Sequence, residues 1–396
     1  MNKKLVAVLA FAGTYLLVTV VSYFAFGLLG NSSATIGPET NDSIKPKPEI
    51  DLAAPKTEAC PINGLKYSVG EKQSWEKRRP IAAMIENHED ARPLSGLSRA
   101  DVIYEAVAEG GITRHLAIYY CAAQAADITL APIRSARIYF VKLAQEYGDR
   151  PIYVHVGGAN NDGNQTSALA RAREYLETIG WRAPKQNDFD SAYDIAFPVL
   201  TQNPDRLGRE VAVEHRMTAK TEKIWGEAVK RGFTNVTPDG TPWDKTFRSW
   251  QFRDDAVADQ RGSLADISFA FWDGKYQLPY NVAWTYDKQA NSFARTNGGV
   301  EQIDHENKER ITAKNVIVQF VQEKGPLDSL KHMWYGVEGT GKAIVFQDGY
   351  ATNAFWTKQG ATGRTIYTDS KTGKEIPFVR GRIWIEIVPI GNKVDY

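Results

Sequence analysis

The string Pro132-Ile133-Arg134-Ser135-Ala136-Arg137 places two guanidiniums three residues apart, where a proline-led loop reads as entering a helix. Residues three apart on a helix share a face. The first turn also offers unpaired N–H groups at the positive end of the dipole, so Arg134 and Arg137 predict a seat for phosphate or carboxylate. The same arginines can instead pair with acids on a neighbouring strand. Three such acids, Asp101, Glu105 and Glu109, recur every four residues among β-branched and aromatic neighbours that favour a strand. Even spacing on a strand keeps side chains on one face, here as a wall opposite Arg114. A row of this kind can hold a metal or supply a general acid or base, while solvated or salt-bridged charge is the plainer reading. His155, in the apolar run IYVHVGG, precedes Gly157 and Gly158, where backbone can approach a ligand closely. His215, in VEHRMTAK, precedes a predicted helix. Both are catalytic or ligand candidates, against the alternative of a hydrogen-bonded core histidine.

The common reaction signatures are missing: no G-x-S-x-G, H-E-x-x-H, Walker lysine loop, dinucleotide fingerprint or C-x-x-C occurs. No cofactor is identified and no metal ligands are assigned. With 48 basic and 47 acidic residues the net charge is +1, so no global field draws the chain to nucleic acid, and any polyanion site must be local. Trp272, Trp284, Trp334 and Trp356 can stack on sugar rings or simply fill a core.

The elements that must position these residues predict an α+β fold, with an α/β-like N-terminal domain over residues 75–233 and a mostly β domain over 234–396. Arg79–Glu86 reads as a strand, and Val102–Tyr104 with Ile112–Tyr120 as a hairpin turning at Gly110 and Gly111. An amphipathic pattern after Pro132 ends at Gly148, and residues 151–158 read as a buried strand. Further helices are expected at Ser167–Ile179 and Thr218–Arg231. From about Thr234 the texture changes to short β segments separated by turns: Ile267–Trp272, Asn281–Tyr286, Asn315–Phe320, Ala343–Phe346, Thr352–Trp356, Arg364–Tyr367 and Arg382–Val388.

Ahead of these domains, Leu5–Gly30 carries no charge. As a helix at about 1.5 Å per residue it spans roughly 39 Å, enough to cross a bilayer with tilt. Lys3 and Lys4 place the tail 1–4 in the cytoplasm and everything after Gly30 outside. A cleaved signal peptide is the competing reading, though its apolar region would run only about 7–15 residues. Residues 31–74, rich in Pro, Lys, Glu and Asp, read as a flexible linker. The two cysteines, Cys60 and Cys121, are expected to pair in an oxidising exterior and to pin the linker's end onto the first domain.

At residues 79–87 (RPIAAMIEN), 91–105 (ARPLSGLSRADVIYE), 109–114 (EGGITR), 132–137 (PIRSAR) and 155–158 (HVGG), the chain resembles the YerB-like family, labelled domain of unknown function 3048. NVIV, FQDGYATNAFWTK and GRIWIEIVP resemble that family's companion C-terminal domain. The resemblance implies that Arg92, Asp101, Glu105, Glu109, Arg114, Arg134, Arg137 and His155 are recurring polar positions, and it supplies no reaction. Many relatives resemble secreted lipoproteins with a lipid-bearing cysteine after the signal. This chain has no cysteine before Cys60, so the expected anchor is the transmembrane helix. The sequence thus predicts a bacterial cell-envelope protein, single-pass and extracytoplasmic, that binds an anionic wall polymer or lipid-linked glycan through Arg92, Arg114, Arg134 and Arg137. The alternatives are a phosphotransferase-like or hydrolytic envelope enzyme using Asp101, Glu105, Glu109, His155 or His215, and a protein-interaction scaffold.

Overall fold

The strand Ile81–Glu86 (β1) is buried along its whole length, which requires cover on both faces of its sheet. A computed structural model describes residues 53–272 and 275–396; the expected cytoplasmic tail, the membrane helix Leu5–Gly30 and linker residues 31–52 lie outside the described residues. Beside β1 run Val102–Glu109 (β2), Ile112–Tyr119 (β3), Ile152–His155 (β4) and Asp188–Asp190 (β5). A second group of strands follows: Asp266–Phe269 (β6), Val282–Asp287 (β7) and Ser292–Asn297 (β8). The chain then adds Asn315–Val321 (β9), Gly339–Gln347 (β10), Tyr350–Lys358 (β11), Ile366–Asp369 (β12) and Ile383–Pro389 (β13).

Ten of these form one sheet in the order β12-β11-β10-β9-β13-β2-β3-β1-β4-β5. The C-terminal strand β13 pairs in parallel with β2, setting Trp384 beside Ile103 and Glu386 beside Glu105. Strands from both sides of residue 234 therefore share one hydrogen-bonded layer, and the described residues form a single compact unit. One face of this sheet is covered by β6–β8, whose Trp284 meets Trp384 edge to face at 5.3 Å. The opposite face receives a helix at Ile138–Ala144, where Tyr139 donates its hydroxyl to the Val107 carbonyl at 2.6 Å.

The β2–β3 hairpin turns at Gly110 and Gly111, with φ of 60° and 86°, the left-handed pair that suits a two-residue turn. A register shift between Val107 and Glu109 bends β2 just before it. Several sequence expectations need correction. Residues 53–74, assigned to the linker, are folded: Glu58–Ala59 pairs with Lys66–Tyr67, and a helix at Val69–Trp75 starts on a capping box of Ser68 and Glu71. The expected helix after Pro132 begins only at Ile138, because Arg137 is extended (φ −132°, ψ 141°). Likewise, the helix expected from Thr218 starts at Thr221, after a short strand Met217–Lys220, and that expected at Ser167–Ile179 is confined to Ala172–Thr178.

Candidate functional site

The PIRSAR segment is an extended strap rather than a helical turn. Its Ile133 bridges Ile85 of β1, the Arg134 amide donates to the Met84 carbonyl at 2.9 Å, and the Ala136 amide donates to Gly157 at 3.0 Å. This strap brings the end of β1, the hairpin end of β2–β3 and the HVGG turn together. Two ion-pair groups result. In the first, Glu109 accepts from Arg114 at 2.9 Å and from Arg137 Nε at 3.0 Å, while Arg114 also donates to the Ser135 carbonyl. Burial alone would raise the Glu109 carboxyl, but the two guanidiniums outweigh it and hold it well below the usual carboxylate range.

In the second group, Arg134 Nε lies 2.9 Å from one oxygen of Glu86, and the other oxygen takes His215 Nδ1 at 2.7 Å. The His215 ring stacks on His88 with centroids 4.9 Å apart. Arg114 and Glu86 are register neighbours across β1 and β3, so the two groups adjoin along one rim. Arg134 and Glu109 keep side-chain exposures of 25% and 27%, enough to reach solvent. Burial lowers the Arg134 guanidinium, partly offset by Glu86.

Four candidates lie apart from that ion-pair rim. Asp101 precedes β2 beneath the Cys60–Cys121 bridge, whose Cα atoms are 6.0 Å apart. It accepts from Asn63 at 2.5 Å and from the Tyr120 and Ala122 amides, and burial pushes its carboxyl up to about 7. Glu105 faces the β6–β8 layer, bound to Arg295 at 2.5 Å and to Thr113 at 2.7 Å, with His115 at 3.2 Å. His155 is fully buried, its Nε2 2.5 Å from Asp188, and Arg182 ties Asp188 to Asp190 with two contacts of 2.8 Å. Arg92 clamps backbone, donating to the Pro279 and Asn87 carbonyls at 2.7 and 2.9 Å. The three acids therefore do not share one wall. Asp101 lies ahead of the strand, and the bulge after Val107 redirects Glu109.

Sequence reasoning passed over Glu86, His88, Asp90, Asp188, Arg295 and Glu386. Two of these left a signal, a lone acid inside or ending an apolar strand in IAAMIE and IWIEIVP. Buried charge in such a run requires a partner. Arg295, in SFARTN, reads as an ordinary exposed strand residue and carries no signal of its burial.

Residues 68–233 match the N-terminal domain of a family described as protein of unknown function (DUF3048), and residues 270–385 match its C-terminal domain. YerB of Bacillus subtilis (strain 168), whose name provisionally assigns it to the lipoproteins, is 30% identical over 362 residues, covering 88% of this chain and 91% of YerB. A crystal structure of the Bacillus subtilis YerB protein superposes with a TM-score of 0.66 at 25% identity, covering 86% of this chain and 100% of that one.

Proposed function

The chain belongs to the DUF3048 family of YerB-like proteins, and on that basis we propose that it is a membrane-anchored, extracytoplasmic module that binds an anionic cell-envelope ligand. The observation that carries this reading is the charge count on the rim: three guanidiniums, Arg114, Arg134 and Arg137, are set against two carboxylates, Glu86 and Glu109. One positive charge is left over at a solvent-reachable edge, which suits a phosphate or carboxylate on a wall polymer or lipid-linked glycan. A binding role rather than turnover is supported by where the acids and histidines sit. Asp101 and Glu105 lie in two separate buried networks and His155 in a third, away from the rim, and of the candidates on the rim Glu109 is held by two arginines and His215 by Glu86.

The anchor is assigned to Leu5–Gly30. Both cysteines of the chain are consumed by the Cys60–Cys121 bridge, which leaves neither thiol to carry lipid and which favours an oxidising compartment. The test is calorimetric titration of full-length protein in detergent with a purified anionic wall polymer at two salt concentrations. Binding should weaken as salt rises and should fall about tenfold, near 1.4 kcal/mol, in Arg134→Gln. In that variant His215 still engages Glu86. Unchanged binding by an Arg134→Gln protein of native melting temperature would refute the assignment.

A further inference from the structure

Beside the arginine rim, His88, Asp90 and His215 form a constellation that the charge count does not use, joined to the rim through Glu86. β1 ends at Glu86, and the chain turns at once into a short 3-10 turn over Glu89–Ala91 capped by His88. His215 closes another such turn, Val213–His215. One donor atom from each of His88, Asp90 and His215 lies within 4.8 Å of the other two. We propose that these three residues bind a borderline divalent transition-metal ion of the Zn2+ class, with Glu86 as the carboxylate that orients His215.

The chemistry of the donor set points to that class. Two imidazole nitrogens and one carboxylate oxygen, with a fourth position open, are the ligands such ions take, whereas Mg2+ and Ca2+ prefer all-oxygen shells. The tautomer follows from Glu86. A carboxylate only accepts, so His215 Nδ1, 2.7 Å from Glu86, carries the proton and leaves the Nε2 lone pair for a metal. Arg134 forms an ion pair with the other oxygen of Glu86 at 2.9 Å. This is the carboxylate–histidine arrangement that holds a ligating ring in place.

On the opposite side, His88 Nδ1 lies 3.6 Å from Asp90 Oδ2 and accepts the Asp90 amide at 3.2 Å, a hydrogen bond that a metal at this nitrogen must displace. Tetrahedral donors around an ion at about 2.0–2.1 Å stand roughly 3.4 Å apart, so the three must draw in by up to about 1.4 Å. Asp90 at 66% and His88 at 27% side-chain exposure can move that far by rotation, while His215 is held. The exposed side leaves room for water or an incoming anion at the fourth position.

The probe is the metal alone. Full-length protein without a polyhistidine tag, stripped with chelator, is titrated with Zn2+ by calorimetry and with Co2+ by visible absorption. One equivalent should bind with Kd on the order of 1 μM or tighter, and Co2+ should give the intense visible bands of a tetrahedral site. Asp90→Asn and His88→Gln should each weaken binding at least tenfold; Asp90→Asn should leave the melting temperature of the metal-free protein unchanged, whereas His88→Gln, which removes a cap, should lower it slightly. Glu86→Gln should cost about 10–100-fold by releasing His215. The proposal is overturned if the native protein takes up no stoichiometric Zn2+ or Co2+, or if Asp90→Asn and His88→Gln bind them as the native protein does.

Discussion

Glu386 is the most informative residue for testing the buried electrostatics. It stands beside Glu105 across β13 and β2, and Trp284 Nε1 donates to it at 3.1 Å. Arg295 contacts Glu105 at 2.5 Å and Glu386 only at 3.7 Å, so one cation serves two buried acids unequally. Burial first, then repulsion from Glu105, pushes the Glu386 carboxyl up to about 8. Burial alone would also raise Glu105, but Arg295 and His115 hold it at about 2. Between its unfolded value of 4.5 and about 8, Glu386 therefore carries a proton in the folded chain that the unfolded chain has lost. Folded protein that binds more protons loses stability as pH rises, by about 1.4 kcal/mol per pH unit for one proton. The contribution is fully present below the unfolded value and is lost by about pH 8.

Glu386→Gln removes the proton and keeps an oxygen for Trp284. Urea unfolding of both proteins, followed by tryptophan fluorescence at pH 5, 6 and 7, measures the difference directly, since the other titrating groups cancel. The native protein should lose about 3 kcal/mol relative to the variant between pH 5 and 7. Parallel stability curves would refute the assignment of a buried proton to Glu386.

Three further outcomes follow from the same packing. Replacing both Cys60 and Cys121 with Ser opens a loop of sequence separation 61 and should cost about 4 kcal/mol by chain entropy, read as a lower urea midpoint. Glu109→Gln leaves the buried Arg114 without its carboxylate and should cost about 2–4 kcal/mol at neutral pH. Because the folded Glu109 carboxyl is depressed, that cost should shrink as pH falls below the ordinary carboxylate range. His155→Ala should destabilise by about 2–4 kcal/mol, since it opens a cavity and strips a partner from buried Asp188, yet leave polymer binding by the folded fraction unchanged.

Sequence patterning located β1, the β2–β3 hairpin and the β-rich C-terminal segments, because apolar runs and the Gly110–Gly111 turn are local signals. The Cys60–Cys121 pairing was legible too, from compartment and count. Pairing of β13 with β2 was not, since it joins residues nearly 300 positions apart and nothing local in GRIWIEIVP names its neighbour. The same limit applied to the site. Arg134 and Arg137 were recognisable as unusual, but their partners depend on how the strap crosses β1, and the helix that was to align them begins only at Ile138. Even spacing suggested one wall for Asp101, Glu105 and Glu109, but Asp101 falls ahead of the strand and the bulge after Val107 turns Glu109 away. His88 and Asp90 carried no signal of their own, because their neighbour His215, whose ring stacks on His88, is distant in sequence.

The proposed anionic envelope ligand depends on which side of the membrane the sheet occupies, and that is open to one direct measurement. Intact cells expressing the full chain are treated with a membrane-impermeant protease and probed with antibody to residues beyond 52. The account predicts digestion without lysis, as the proposed anchor at Leu5–Gly30 would place those residues outside. Complete protection in intact cells, lost only on lysis, would contradict it and remove the basis for an anionic envelope ligand.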